Sequence, residues 1–181
     1  MTHHTAIELA AYSPEWPQRF AAEQSALAAI FLAPTFRIEH IGSTSVPGLA
    51  AKPIVDILLG APALAQIEAR IPAIEAIGYR YRPELETVLP LRRYFVKPTD
   101  RPRNVHVHAV ELESTFWVEH LLFRDALRAL PALAAEYGAL KHELASRHRD
   151  NRGAYTDAKA PFIRSVIKRA TKQIALAADP R

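Results

Sequence analysis

At 181 residues, with 49% hydrophobic and 23% charged positions, the chain has the composition of one soluble, well-packed domain. It holds no cysteine, which excludes disulfides, iron–sulfur centres, cysteine-ligated zinc and thiol catalysis. The net charge of +4 is unevenly placed, because residues 141–181 carry ten Lys/Arg against four Asp/Glu while residues 1–140 are net acidic.

A basic C-terminal end suits a polyanion, nucleotide phosphates before RNA, or else a solvated face on amphipathic helices. No apolar run approaches the ~20 residues of a membrane span, and the N-terminus lacks a charged segment followed by an apolar one. The expected location is the cytoplasm, with no membrane partner. Nothing in the pattern fixes an oligomeric state.

In chain order, residues 1–6 read as a loose end. Ser13-Pro14-Glu15 starts a helix, with Ser as cap, Pro at the first helical position and an acid in the first turn. Trp16, Phe20, Leu27 and Phe31 then share one helical face, up to Pro34. Phe36 to Ile41 reads as a strand, followed by the turn Gly42-Ser43-Thr44-Ser45 and a second strand from Pro53 to Leu59. Leu64, Ile67, Ile71, Ile74 and Ile77 mark a helix that Pro72 should kink or divide. Gly78 caps it, and Tyr79 to Arg82 is a short strand before a Pro83-Glu84 turn. Val88 to Lys97 reads as a strand, residues 98–103 as a loop, and Asn104 to Val110 as another strand. From Ser114 the period is helical: one helix to Leu130, one from Pro131 to His148, a turn at Asp150–Gly153, and a last helix from Pro161 to Ala177. The expectation is one α/β (α+β) domain over residues 1–181, core about 7–177, with a mixed sheet under helices and a helical C-terminal third.

Three features carry chemistry. The Pro53–Leu59 run is apolar enough to be buried on both faces, yet it contains Asp56. A buried carboxylate needs a cation, a metal or several donors, so Asp56 is either functional or the partner of Lys52 or an arginine. The Gly42-Ser43 turn is small enough for backbone N–H groups to approach an anion, although a plain strand-to-helix turn reads the same way. His106 and His108, two apart on a strand, project to one face. Imidazoles favour manganese or zinc over magnesium, and general-base work or a pair of surface histidines are the other readings.

Gly42-Ser43, twelve residues and then Asp56 in a hydrophobic strand resemble the signature of the polymerase-beta-like nucleotidyltransferase superfamily. The longer string from His40-Ile-Gly-Ser-Thr-Ser through Lys52-Pro-Ile-Val-Asp56 resembles the GrpB family within it, and so do Tyr12–Trp16, Gly78-Tyr79, Arg93–Lys97, His106–His108, Leu122–Asp125 and Tyr155–Ile163. The resemblance implies a nucleotidyltransferase-like mixed sheet. It also implies a phosphate-binding turn at Gly42, Ser43, Thr44 and Ser45. Asp56, His106 and His108 would then act as metal ligands and catalytic groups, and Lys52, Arg93, Lys97, Arg124 and Lys159 would line the anion site. The implied ligands are a divalent metal (Mg or Mn, with Zn as a further option) and a nucleoside triphosphate, whose nucleotidyl group would pass to an unnamed acceptor. One departure stands out: where the superfamily carries a second acid, two residues after the first, this chain has Leu58. A phosphate-binding module without catalysis is the alternative that this departure supports.

Overall fold

The computed structural model describes residues 6–97 and 105–178. Five strands form one sheet: β1 (Arg37–Ile41), β2 (Val55–Ala61), β3 (Arg80–Tyr81), β4 (Arg92–Lys97) and β5 (Val105–Glu111), in the order β1-β2-β5-β4-β3. Only the β2–β5 pair is parallel; its register sets Asp56 opposite His106 and Leu58 opposite His108. The sheet is therefore mixed, as expected, with the Asp56 strand in its interior. The expected loose start and the loop at residues 98–103 lie almost wholly outside the described residues.

Strand alternation gives the sheet two different faces. On one, Val55, Ile57, Leu59 and Ala61 join Val105, Val107, Ala109 and Phe95, all at most 2% exposed. This layer packs against α1 (Glu15–Ala28), α2 (Leu64–Glu68) and α3 (Ile71–Ala76), through Trp16, Leu27, Ile67 and Ile74. Each such fully buried side chain contributes ~1.5–3 kcal/mol of transfer free energy, which makes this face the main core. As expected, α2 and α3 are the two halves of one apolar pattern. Pro72 sits in the first turn of the second half, where its missing N–H is not needed.

The other face is covered at one end only. There α4 (Thr115–Ala129) lays Trp117 over Leu58, Val110 and Ile41. Gly60 makes the close approach possible: a Cβ at that position would lie 2.4 Å from a Leu112 methyl and 2.6 Å from the Trp117 ring. Gly60→Ala should overpack this contact and cost about 1–3 kcal/mol, read as a lower urea midpoint with an unchanged slope. Leu58, two residues after Asp56 on the same strand face, is fully buried in the same layer.

Two sequence expectations need correction. β4 begins at Arg92 and not at Val88, because Val88 ends one turn and Pro90-Leu91 forms another, where Pro90 has no N–H for a ladder. The final helix begins nine residues earlier than its proline implied. After α5 (Pro131–Arg147), α6 (Arg152–Ala178) runs unbroken through Pro161. Asn151 caps it, its Oδ1 accepting the Ala154 N–H at 3.0 Å. Tyr155, 1% exposed against Leu144 and Ile7, anchors the early turns. Tertiary packing thus holds a segment that local propensity would end. The consequence is functional, since Tyr155 and Lys159 become i,i+4 neighbours on one helix face.

Candidate functional site: an acid–imidazole cluster facing three lysines

Beside α4, which lines it with His120 and Phe123, the second sheet face opens into a cavity of about 530 Å³. Asp56, His106 and His108 stand on its floor. One ligand atom from each can be chosen so that all lie within 4.8 Å of one another. His106 Nδ1 is 3.2 Å and His108 Nε2 3.7 Å from Asp56 Oδ1. Burial alone would raise the Asp56 pKa, but hydrogen bonds from His106 and His108 outweigh it and hold the carboxyl well below the usual range. Asp56 is ionised. Burial pushes the His108 pKa down against the opposing pull of Asp56, which keeps that ring neutral at pH 7.

The tautomer of His108 follows from its other neighbour. Arg92 Nη1 lies 3.2 Å from His108 Nδ1. A guanidinium only donates, so Nδ1 accepts and Nε2 carries the hydrogen. A metal-binding imidazole normally has the opposite arrangement, its second nitrogen giving an N–H to an acceptor. Asp56 is ready for a divalent cation, and His106 can join it once its hydrogen moves from Nδ1, which donates to Asp56, to the other ring nitrogen. His108 joins them only when Arg92 releases its Nδ1, and otherwise presents an N–H to the cavity.

The Gly42 turn presses directly on the carboxylate. Gly42 has φ 71° and ψ −177°, a backbone region open essentially to glycine, and a Cβ there would lie 2.6 Å from Asp56 Oδ2. Of the hydroxyls in the turn, most are occupied within the fold. Ser45 Oγ donates to Gly42 O at 2.6 Å, and Thr44 Oγ1 donates to Ile54 O at 3.0 Å and meets His40 Nε2 at 3.1 Å. Thr44 and Ser45 are buried, and their hydroxyls hold the turn's shape. Ser43 faces the cavity, where its side chain hydrogen-bonds Tyr137.

Opposite the acid stands a wall of lysines. Lys52 follows the turn, Lys141 lies on α5 and Lys159 on α6; all three line the cavity. Lys52 and Lys159 reach the Tyr155 ring, at 5.2 and 4.3 Å from its centroid, and Lys141 lies 5.1 Å from that of Tyr137. Among the described residues none of the three has a carboxylate within 4.0 Å. Burial and then the neighbouring Lys159 lower Lys141 to about 7. Burial and then Lys52 lower Lys159 to about 8, with Asp56 opposing. Lys52 is lowered too, by burial first and Arg152 second. Three crowded lysines with no carboxylate in contact, Lys141 only half charged at pH 7, form a ready anion site.

The sequence reading placed three further cations here, and the structure places them elsewhere. Arg93 and Lys97 alternate with Tyr94 and Val96, so they leave the sheet on the face away from Asp56. Arg93 pairs with Glu68 at 2.6 Å and Glu86 at 3.4 Å, and Lys97 with Glu23 at 2.9 Å. Arg124 binds Glu39 and Asp125, both at 2.7 Å, and the His40 carbonyl at 3.2 Å, tying α4 to β1. Conversely, the cavity contains Lys141 and Arg92, which the sequence reading did not single out. A signal for Lys141 was present: Tyr137, Lys141 and Leu144 fall on one buried helical stripe, where a lysine is out of place.

Fold and site together define a mixed-sheet α/β protein with an acid–imidazole cluster set against a cationic wall. The GrpB protein family model matches residues 6–169, and the chain belongs to that family. A UPF0157 protein of Pseudomonas aeruginosa is 40% identical over 167 residues, 91% of this chain and 67% of its own length. UPF0157 protein YqkA of Bacillus subtilis is 36% identical over 92% of this chain and 48% of its own, so the chain spans from about half to about two thirds of these two relatives. The crystal structure of conserved protein GrpB from Enterococcus faecalis superimposes with a TM-score of 0.81 at 39% identity, covering 92% of this chain and 99% of that one. Among the described residues no helix is long and apolar enough to cross a membrane.

Proposed function

We propose that the chain is a nucleotidyltransferase of the polymerase-beta-like type, which binds a nucleoside triphosphate together with one divalent cation and transfers the nucleotidyl group. One observation carries this reading: an ionised carboxylate with two imidazoles faces three lysines that lack carboxylate partners, across a single cavity large enough for a nucleotide. The cation would be held first by Asp56 and His106 and would polarise the reacting phosphate. An imidazole in that set favours manganese or zinc over magnesium. Lys52, Lys141 and Lys159 would take the phosphate oxygens, with the Ser43 hydroxyl between them and the acid.

A second reading, a nucleotide-binding module without transfer, is favoured by one specific feature. Leu58 is fully buried under Trp117, so the acid–imidazole cluster has one carboxylate where a two-metal centre needs more, and the cavity's other acid, Glu119, stands outside that cluster. Binding and transfer assays on the same protein separate the two readings.

Lys52→Ala combined with Lys159→Ala should lower triphosphate affinity at least a hundredfold, since each charge-assisted contact contributes about 1.5–3 kcal/mol. Calorimetric titration measures this, and unchanged affinity would show that the lysines serve packing alone. The pH dependence supplies an independent check. Lys141 and Lys159 have folded pKa values far below their unfolded value near 10.5, so the unfolded chain holds more protons between about pH 7 and 10. Stability of the ligand-free protein should accordingly rise with pH across that window, while triphosphate affinity falls as the lysines discharge.

A further inference from the structure

We propose that Arg92 heads a second oxyanion subsite in the same cavity, and that it holds the acceptor through a carboxylate or phosphate group. The inference rests on the nucleotide reading above for the word acceptor, but the subsite itself stands on separate observations.

Arg70, like Arg92, lacks a carboxylate partner and lies over two rings, but among the described residues Arg92 alone leaves a buried side-chain polar atom without a partner. Arg93 and Arg124 each pair with two carboxylates. Arg92 has none within 4.0 Å among the described residues, and its buried Nε–H meets no acceptor at all. One Nη1–H goes to His108 Nδ1, a neutral partner. The guanidinium lies instead over two aromatic faces, 5.2 Å from the Tyr94 centroid and 5.5 Å from that of Phe116. Aromatic faces attract the cation and fix the plane of the group, but they satisfy no N–H in that plane. An orphaned buried donor on a fixed cation asks for an acceptor.

The surroundings decide what kind of acceptor. His120, on the same side of the cavity, is pushed down to about 4 by burial and is neutral at pH 7, while its Nδ1 gives its hydrogen to Phe116 O at 2.7 Å. The positive charge here is therefore that of Arg92 alone. A planar guanidinium with free N–H groups matches the two oxygens of a carboxylate or phosphate, which it binds bidentately. Position fits an acceptor as well. Arg92 touches His108, which is 3.7 Å from Asp56, whereas the lysines approach the acid from the α5 and α6 side. An oxyanion on Arg92 and a polyphosphate on the lysines would thus flank the acid–imidazole cluster.

The test uses the full chain labelled with 15N, observing arginine Nε–H resonances. The Arg92 signal is the one lost in Arg92→Met, a variant that keeps contact with Tyr94 and Phe116; its melting curve checks the fold. Inorganic phosphate and malonate are titrated separately, with and without saturating tripolyphosphate. The expected result is a saturable shift of the Arg92 signal with at least one probe. Tripolyphosphate should leave that shift in place, as should Lys52→Ala with Lys159→Ala, and the probe's affinity should drop at least tenfold in Arg92→Met. Which probe acts distinguishes a phosphorylated acceptor from a carboxylated one. An Arg92 signal that neither probe moves, or one whose response disappears with the two lysines, overturns the subsite. Failure of tripolyphosphate to bind sinks the nucleotide reading instead, and leaves the Arg92 response readable.

Discussion

Asp56→Asn is expected to abolish the stabilisation that a divalent cation confers and to reduce nucleotidyl transfer on the order of a thousandfold. The substitution keeps size and one acceptor oxygen but removes the charge that attracts the ion. For the wild type, manganese at a hundred times its dissociation constant should add about 2.7 kcal/mol of stability, and the variant should gain none. The loss of transfer corresponds to about 4 kcal/mol of transition-state stabilisation no longer supplied by a metal. Without metal, the variant should be less stable than the wild type by about 1 kcal/mol at pH 7, since the His106 hydrogen bond to a carboxylate becomes one to an amide. This small difference has a definite pH signature. The folded Asp56 pKa is depressed, so its contribution is fully present above the unfolded value near 4 and fades as pH falls below it. The two proteins should converge in acid. A large pH-independent loss with no metal effect in the wild type would instead make Asp56 a structural partner.

Gly42→Ala is expected to be the most damaging single-methyl change in the chain, for two independent reasons. At φ 71° and ψ −177° an alanine carries backbone strain of about 1–3 kcal/mol. Its Cβ would also need the space of Asp56 Oδ2, 2.6 Å away. The turn or the carboxylate must move. We expect a loss of about 3 kcal/mol or more in denaturant unfolding, with metal and triphosphate affinity falling together. The contrast with Gly48→Ala is informative, because Gly48 has φ 77° but no atom within 4 Å of its Cβ position. That variant should show the strain alone, with ligand binding intact. Equal effects of both on ligand binding would mean that contact between the turn and Asp56 is irrelevant to the site.

The acid–imidazole cluster was legible in the sequence because period-two alternation is local. An acid in an apolar run and two histidines two apart already define faces, and parallel register had only to bring the strands together. The choice between Arg92 and Arg93 was not legible. Which parity of β4 joins the histidine face depends on the pairing of Tyr94 with His108, a tertiary fact that no local pattern states. Arg124 misled in another way: its charge is matched by Glu39, 85 positions earlier in the chain, and by Asp125. Lys159 lines the cavity, although sequence rules start its helix only at Pro161. What sequence rules missed there was the anchoring of Tyr155, which carries α6 back to Arg152.

The central claim, that one cavity holds a divalent cation on Asp56 and a triphosphate on the lysines, is tested most directly by anomalous diffraction. Crystals would be grown with manganese and a non-hydrolysable nucleoside triphosphate. The account predicts an anomalous peak within bonding distance of Asp56 and His106, with phosphate oxygens hydrogen-bonded to Lys52 and Lys159. A triphosphate bound without any peak at Asp56, or a peak there with the phosphates remote from the lysines, would contradict it.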